Sequence, residues 1–198
     1  ANAVFVALGH GAPLDPEADA ATAFHGGRAM LKLGHARLGS GGENAVERGY
    51  PVFLQHYEQA VCRESRFYPG AREAVARLRA RSTRVAICTN KPEALALALL
   101  DALAARPLFD AVIGADTFST RKPDPAPYHG AVAAAGGDVA RSMMVGDTEN
   151  DLLTARAVGA PCALVTFGPG ATRAAALKPD ALLDGFDALD GVVEALLG

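Results

Sequence analysis

The sequence predicts an α/β fold, a doubly wound parallel sheet with a small helical module, and three observations lead there. Short, almost wholly apolar runs recur through the last two thirds of the chain, as strands buried on both faces do. Segments with apolar residues at i, i+3, i+4 and i+7 separate them, the period of amphipathic helices. Residues 1–66 lack that alternation and read as helical pieces broken by Gly34, Gly39, Gly41 and Gly42. The expected division is therefore a helical module over 1–66 and an α/β core over 67–198, with right-handed crossovers in the core.

The elements follow in order. Ala1 to Gly11 fits the end of a helix with a turn at Ala12-Pro13-Leu14, although Val4 to Leu8 taken alone also fits a short strand. Glu43 to Glu64 predicts one long amphipathic helix or two, with Pro51 tolerated near a helix start. Tyr68-Pro69-Gly70 is a turn that opens the helix Ala71–Ala80. The strands Val85–Thr89, Ala111–Gly114, Met143–Gly146, Ala163–Phe167 and Ala181–Leu183 come next. The helices Glu93–Leu103, Ala126–Ala135, Asp151–Val158 and Leu189–Leu197 complete the alternation.

Composition excludes several classes. A net charge of −3, with no basic block, gives no nucleic-acid footprint. The longest apolar stretch, Ala94 to Ala105, is interrupted by Asp101 and is shorter than the roughly 20 residues a bilayer requires, so no membrane role is expected. Cys62, Cys88 and Cys162 lie far apart and make no disulfide framework, which fits a reducing, cytoplasmic setting. Monomer and homodimer both stay open.

In an open parallel sheet, ligands bind at the carboxyl ends of the strands. Three polar groups stand there. Thr89 and Asn90 follow the first strand, where a hydroxyl and free N–H groups can hold a phosphate oxygen or simply cap the next helix. Lys122 lies in the run Arg121-Lys122-Pro123-Asp124-Pro125, whose prolines restrain the backbone; it is one of only four lysines, so its place in a loop carries weight. A positioned ammonium neutralises a phosphoryl group, whereas the alternative is a solvated lysine in a turn. Asp147 and Asp151 follow the strand ending at Gly146 and supply hard oxygens suited to Mg²⁺. Thr148 to Asp151 also satisfies a capping box.

These motifs, 33 and 25 residues apart, together resemble the second, third and fourth motifs of the haloacid dehalogenase (HAD) superfamily. The runs CTNKPE, DTFSTRKPDPAPY and MVGDTENDLLTARAVGAP resemble its phosphoglycolate phosphatase subgroup, and residues 1–66 are similar to its helical cap. Phe24 to Met30 resembles that subgroup's substrate loop, with Phe24 where glycine is usual. The resemblance implies Mg²⁺-dependent hydrolysis of a small phosphorylated metabolite, first of all phosphoglycolate, through an aspartyl-phosphate. It implies that Thr89 and Lys122 are catalytic with Asp151, that Thr89, Asn90 and Arg28 bind substrate, and that Asp147 and Asp151 serve the metal.

One departure is large. The family's nucleophile and acid/base aspartates form a D-x-D pair at the end of the central strand, and no D-x-D occurs in the chain. Either that strand would precede Ala1, or Val4–Leu8 is the strand and Val6 and Leu8 stand in for the aspartates. Without its central strand a sheet leaves two neighbours with unpaired backbone groups, each costing about 1–3 kcal/mol. A sugar phosphomutase, a dehalogenase and a non-catalytic phosphate- or Mg²⁺-binding protein are the alternative functions.

Overall fold

The computed structural model describes residues 1–23, 26–40, 42–63, 65–168 and 171–198. The chain forms two compact units, Ala1–Arg63 and Glu64–Gly198.

The N-terminal unit is helical: α1 (Asn2–Ala7), α2 (Ala20–Ala23), α3 (Gly27–Arg37) and α4 (Glu43–Gln59). Its core is Val4, Phe5, Leu14, Leu31 and Phe53. The burial pattern explains why Val4–Leu8 is not a strand. A strand would send Val4, Val6 and Leu8 to one face, yet Val4 and Phe5 are fully buried while Val6 and Leu8 are 58% and 54% exposed. Adjacent buried residues suit a helix, and the reading that put Val6 and Leu8 in the places of two aspartates falls with the strand. The amide of Asn2 fixes the returning loop, donating to the Leu14 carbonyl at 2.8 Å and accepting from Leu14 N–H at 3.0 Å. Pro51 lies inside α4, not near its start as expected. The helix expected to reach Glu64 ends at Gln59, residues 60–63 form turns and a bend, and Glu64 lies outside the described residues.

The C-terminal unit alternates α5 (Ala71–Ala80), β1 (Ala86–Cys88), α6 (Glu93–Ala102), β2 (Ala111–Ile113), α7 (Ala126–Ala134) and β3 (Met144–Gly146). It continues with α8 (Glu149–Val158), β4 (Cys162–Val165), α9 (Ala171–Ala174), β5 (Ala181–Leu183) and α10 (Leu189–Leu197). All strand pairs are parallel. Every residue of β4 is buried. Cys162 and Leu164 enter a cluster with Tyr128, Met144 and Leu152, while Val165 joins Ala74, Leu78, Leu183 and Leu189. The continuous apolar run is thus a strand covered on both faces.

The sheet is divided. β1 pairs with β2, and β3–β4–β5 form a second ladder; among the described residues no ladder joins β1 to β3. Among the described residues β1 and β3 each pair on one side only. Val85, just before β1, and Val145 of β3 nevertheless pack against the same apolar cluster.

Candidate active site

Strand tips and tight turns bring the site residues together. β1 ends at Cys88, so Thr89 and Asn90 start the loop to α6. Neither caps that helix: the Glu93 N–H is taken by Asp116 at 2.8 Å, from the loop after β2. Thr89 Oγ1 accepts from Lys91 N–H at 3.1 Å, which leaves its own hydroxyl proton for another acceptor. The Asn90 amide donates to the Lys122 carbonyl at 2.9 Å and ties the first loop to the lysine loop.

Lys122 is not a solvated turn residue. Its side chain is 10% exposed, and its ammonium donates to the Cys88 carbonyl at 2.7 Å and to Asp151 Oδ1 at 2.5 Å. One cation therefore links the tip of β1 to the helix that follows β3. The other Asp151 oxygen, Oδ2, accepts from Thr148 Oγ1 at 2.7 Å, Thr148 N–H at 3.1 Å and Asp147 N–H at 3.2 Å. The capping box expected at Thr148–Asp151 is present, and the same carboxylate also pairs with Lys122. Gly146 makes this closeness possible, because a Cβ there would lie 2.4 Å from the Asp151 side chain.

The two aspartates differ in electrostatic state. Burial raises the Asp151 carboxyl, but Lys122 and the Thr148 donors outweigh it and hold the pKa below the ordinary range. Asp147, at the end of β3, is raised instead, first by burial and then by the charge of Asp151. Its carboxyl takes no hydrogen bond from another described residue. Asp147 is thus the carboxylate that a cation would relieve, while both oxygens of Asp151 are already committed. Among the described residues no cluster of three or more His, Cys, Asp or Glu side chains forms a metal cage.

Arg28 lies in the N-terminal unit, where it is already partnered. Its guanidinium grips Glu47 through Nε and Nη2, at 2.8 and 3.0 Å, and lies 3.6 Å over the Tyr50 ring. Phe24 and His25 of the expected substrate loop lie outside the described residues. Sequence reasoning missed one feature of the site. Phe167 contacts Tyr68 and Phe186 edge-to-face, at 5.0 and 5.3 Å, and the three line a hollow of about 180 Å³ that reaches Asp147. The sequence places Tyr68 in a turn and Phe167 at the end of a strand, and the aromatic character the two share with Phe186 is the signal available.

The sequence pattern of haloacid dehalogenase-like hydrolases matches residues 1–159. The chain belongs to this hydrolase family. The chain is 42% identical over 166 residues to a phosphoglycolate phosphatase of Mesorhizobium japonicum, an alignment covering 83% of this chain and 73% of that one. It is 41% identical over 165 residues to the Agrobacterium fabrum phosphoglycolate phosphatase, covering 83% and 71%. Among solved structures, a predicted phosphoglycolate phosphatase from Haemophilus somnus superposes with a TM-score of 0.83 at 22% identity, over 96% of this chain and 87% of that one. CbbY from Rhodobacter sphaeroides, solved in complex with phosphate, superposes with a TM-score of 0.73 at 21% identity, over 95% and 86%. At such identity these structures support the fold of this haloacid dehalogenase-like hydrolase. No helix among its described residues is long and apolar enough to cross a membrane.

Proposed function

We propose that this haloacid dehalogenase-like hydrolase serves Mg²⁺-dependent hydrolysis of a small phosphate monoester, phosphoglycolate being the first candidate because its relatives carry that name. The observation that carries the reading is the Lys122 ammonium held between the Cys88 carbonyl and Asp151, with the Thr89 hydroxyl free to donate nearby in sequence order. In that role Lys122 neutralises the phosphoryl charge, and Thr89 with the Asn90 backbone donates to its oxygens. Asp151 is a positioning residue that keeps the ammonium in place. Asp147 fits a hard cation, being half-buried and unrelieved, and would hold Mg²⁺ with oxygens from the substrate and water. Bound there, the metal supplies charge shielding and orientation of the phosphoryl group.

Attack on phosphorus requires a carboxylate nucleophile, and residues 1–198 contain no D-x-D pair to supply the family's own. We assign to this chain the phosphoryl- and metal-binding part of the reaction. The N-terminal unit is read as the substrate-selecting cap, with Arg28 as its candidate carboxylate contact, and a cytoplasmic monomer or homodimer is proposed. The alternative reading is a non-catalytic phosphate- or Mg²⁺-binding protein. Titrating the chain with phosphoglycolate, with and without Mg²⁺, tests the assignment. Saturable binding that needs both Mg²⁺ and Lys122 supports it, and binding indifferent to Lys122→Met refutes it. Turnover by the chain carrying a D-x-D strand ahead of Ala1 separates the enzyme from the binding protein. Saturable binding with no turnover in that folded, extended chain favours the latter.

A further inference from the structure

Beyond the ends of β1 and β2 the two segments keep running side by side. Thr89 N–H donates to the Ile113 carbonyl at 2.9 Å, and Ala115 N–H donates to the Lys91 carbonyl, also at 2.9 Å. Asp116 and Thr117 then fasten the loop after β2 to the start of α6. Asp116 Oδ1 accepts from Glu93 N–H at 2.8 Å, while Thr117 Oγ1 donates to the Glu93 carboxylate and accepts from Gly114 N–H at 2.8 Å. Gly114 allows this approach, since a Cβ there would run into the Glu93 backbone. Further on, the same loop returns to the first segment: the Lys122 carbonyl accepts from the Asn90 amide at 2.9 Å.

Segment 114–122 therefore grips segment 89–93 from both of its ends, and the two groups assigned to the phosphoryl group sit in that grip. The Thr89 hydroxyl oxygen accepts from Lys91 N–H at 3.1 Å, and the carbonyl of the same Lys91 is the one held by Ala115. Lys122, on the other segment, sets its ammonium on the carbonyl of Cys88, next to Thr89. Asp116 and Thr117 are exposed, so core packing does not explain their bonds. A cap for α6 needs Asp116 alone. Thr117, bonded at once to Glu93 and Gly114, adds nothing to that cap and closes the two segments on each other. We propose that Asp116 and Thr117 are positioning residues, which act through Glu93 to keep the Thr89 hydroxyl and the Lys122 ammonium in one frame for a phosphoryl group. The inference rests on the phosphoryl-binding reading of Thr89 and Lys122. Groups held in place before a ligand arrives lose less freedom on binding it, and a loosened support weakens the contact.

The test titrates the whole chain with inorganic phosphate in the presence of Mg²⁺, following the Thr89 and Asn90 amides by NMR. Asp116→Ala/Thr117→Val removes both side-chain links and is expected to weaken binding about tenfold. Asp116→Asn/Thr117→Ser keeps an oxygen to accept from Glu93 N–H and a hydroxyl to donate, and is expected to restore the parent affinity. Ala98→Gly weakens α6 from its middle and is expected to leave affinity unchanged. Full affinity in Asp116→Ala/Thr117→Val overturns the proposal. So does an equal loss in Ala98→Gly, which would mean that only helix stability matters, and so does failure of the conservative pair to restore binding. If the parent itself takes up no phosphate, the phosphoryl-binding reading fails and amide exchange decides the brace on its own. Faster exchange at Thr89 and Lys91 in Asp116→Ala/Thr117→Val then upholds it, and unchanged exchange overturns it.

Discussion

Removing the Lys122 charge is the most informative single perturbation of the C-terminal unit. Lys122→Met keeps most of the aliphatic stem and deletes the ammonium. Asp151 is 4% exposed, so its carboxylate would be left charged, buried and facing nothing at Oδ1. Breaking one partner of a buried pair in this way costs about 3–5 kcal/mol. The Cys88 carbonyl also loses its donor, adding about 1 kcal/mol. Asp151→Asn strands the ammonium instead and falls in the same range, although the amide oxygen can still accept from Thr148. The double variant Lys122→Met/Asp151→Asn removes both charges together and is expected to recover most of the loss. Urea unfolding of the four proteins measures the cycle, read from amide signals in β1 and β3 because two compact units can unfold separately. Single variants within about 1 kcal/mol of the parent, or losses that simply add in the double, would refute a buried coupled pair.

Three further outcomes are expected. The two aspartates give opposite pH dependence. Asp151, held low, contributes stability that is complete above the ordinary carboxylate range and is lost as pH falls through its depressed pKa. Asp147, held high, favours the fold while protonated and loses that contribution as pH rises through its own pKa, so Asp147→Asn should be more stable than the parent at neutral pH, measured by denaturant midpoint. Gly114→Ala would bring a Cβ to 2.3 Å from the Glu93 backbone nitrogen, which must shift; a loss of about 1–3 kcal/mol is expected, with amide exchange at the start of α6 accelerated. Leu31→Ala empties the core of the helical unit at a cost of about 2–5 kcal/mol, visible in the exchange of α3 and α4 amides and absent from β4.

The strands and the site were legible for the same reason. VAIC, MMVG and ALVTF are apolar in both directions of the pleat, as strands of a sheet covered on two faces are, and the first two are followed directly by Thr89-Asn90 and Asp147. The family resemblance gave Lys122 and Asp151 as members of one site, whereas the use of the Cys88 carbonyl by Lys122 was hidden, because main-chain acceptors leave no mark in a sequence. Asp116 capping α6 was hidden for a related reason: the cap comes from 23 residues away, not from the Thr89–Asn90 pair next to the helix. Arg28 shows the opposite difficulty. Glu47 and Tyr50, its partners, are themselves three apart on α4 and so share one face, a periodicity visible in the sequence but without meaning until α3 was placed beside it. For Val4–Leu8 the pattern was ambiguous, since five apolar residues in a row satisfy either period, and burial of the neighbours Val4 and Phe5 decided it.

The Lys122 ammonium donates to the Cys88 carbonyl at the tip of β1 and to Asp151 on the helix after β3, and the Lys122 carbonyl accepts from the Asn90 amide. A ligand that draws on that ammonium therefore pulls on three segments at once, so occupancy of the site and rigidity of the strand tips are expected to rise and fall together.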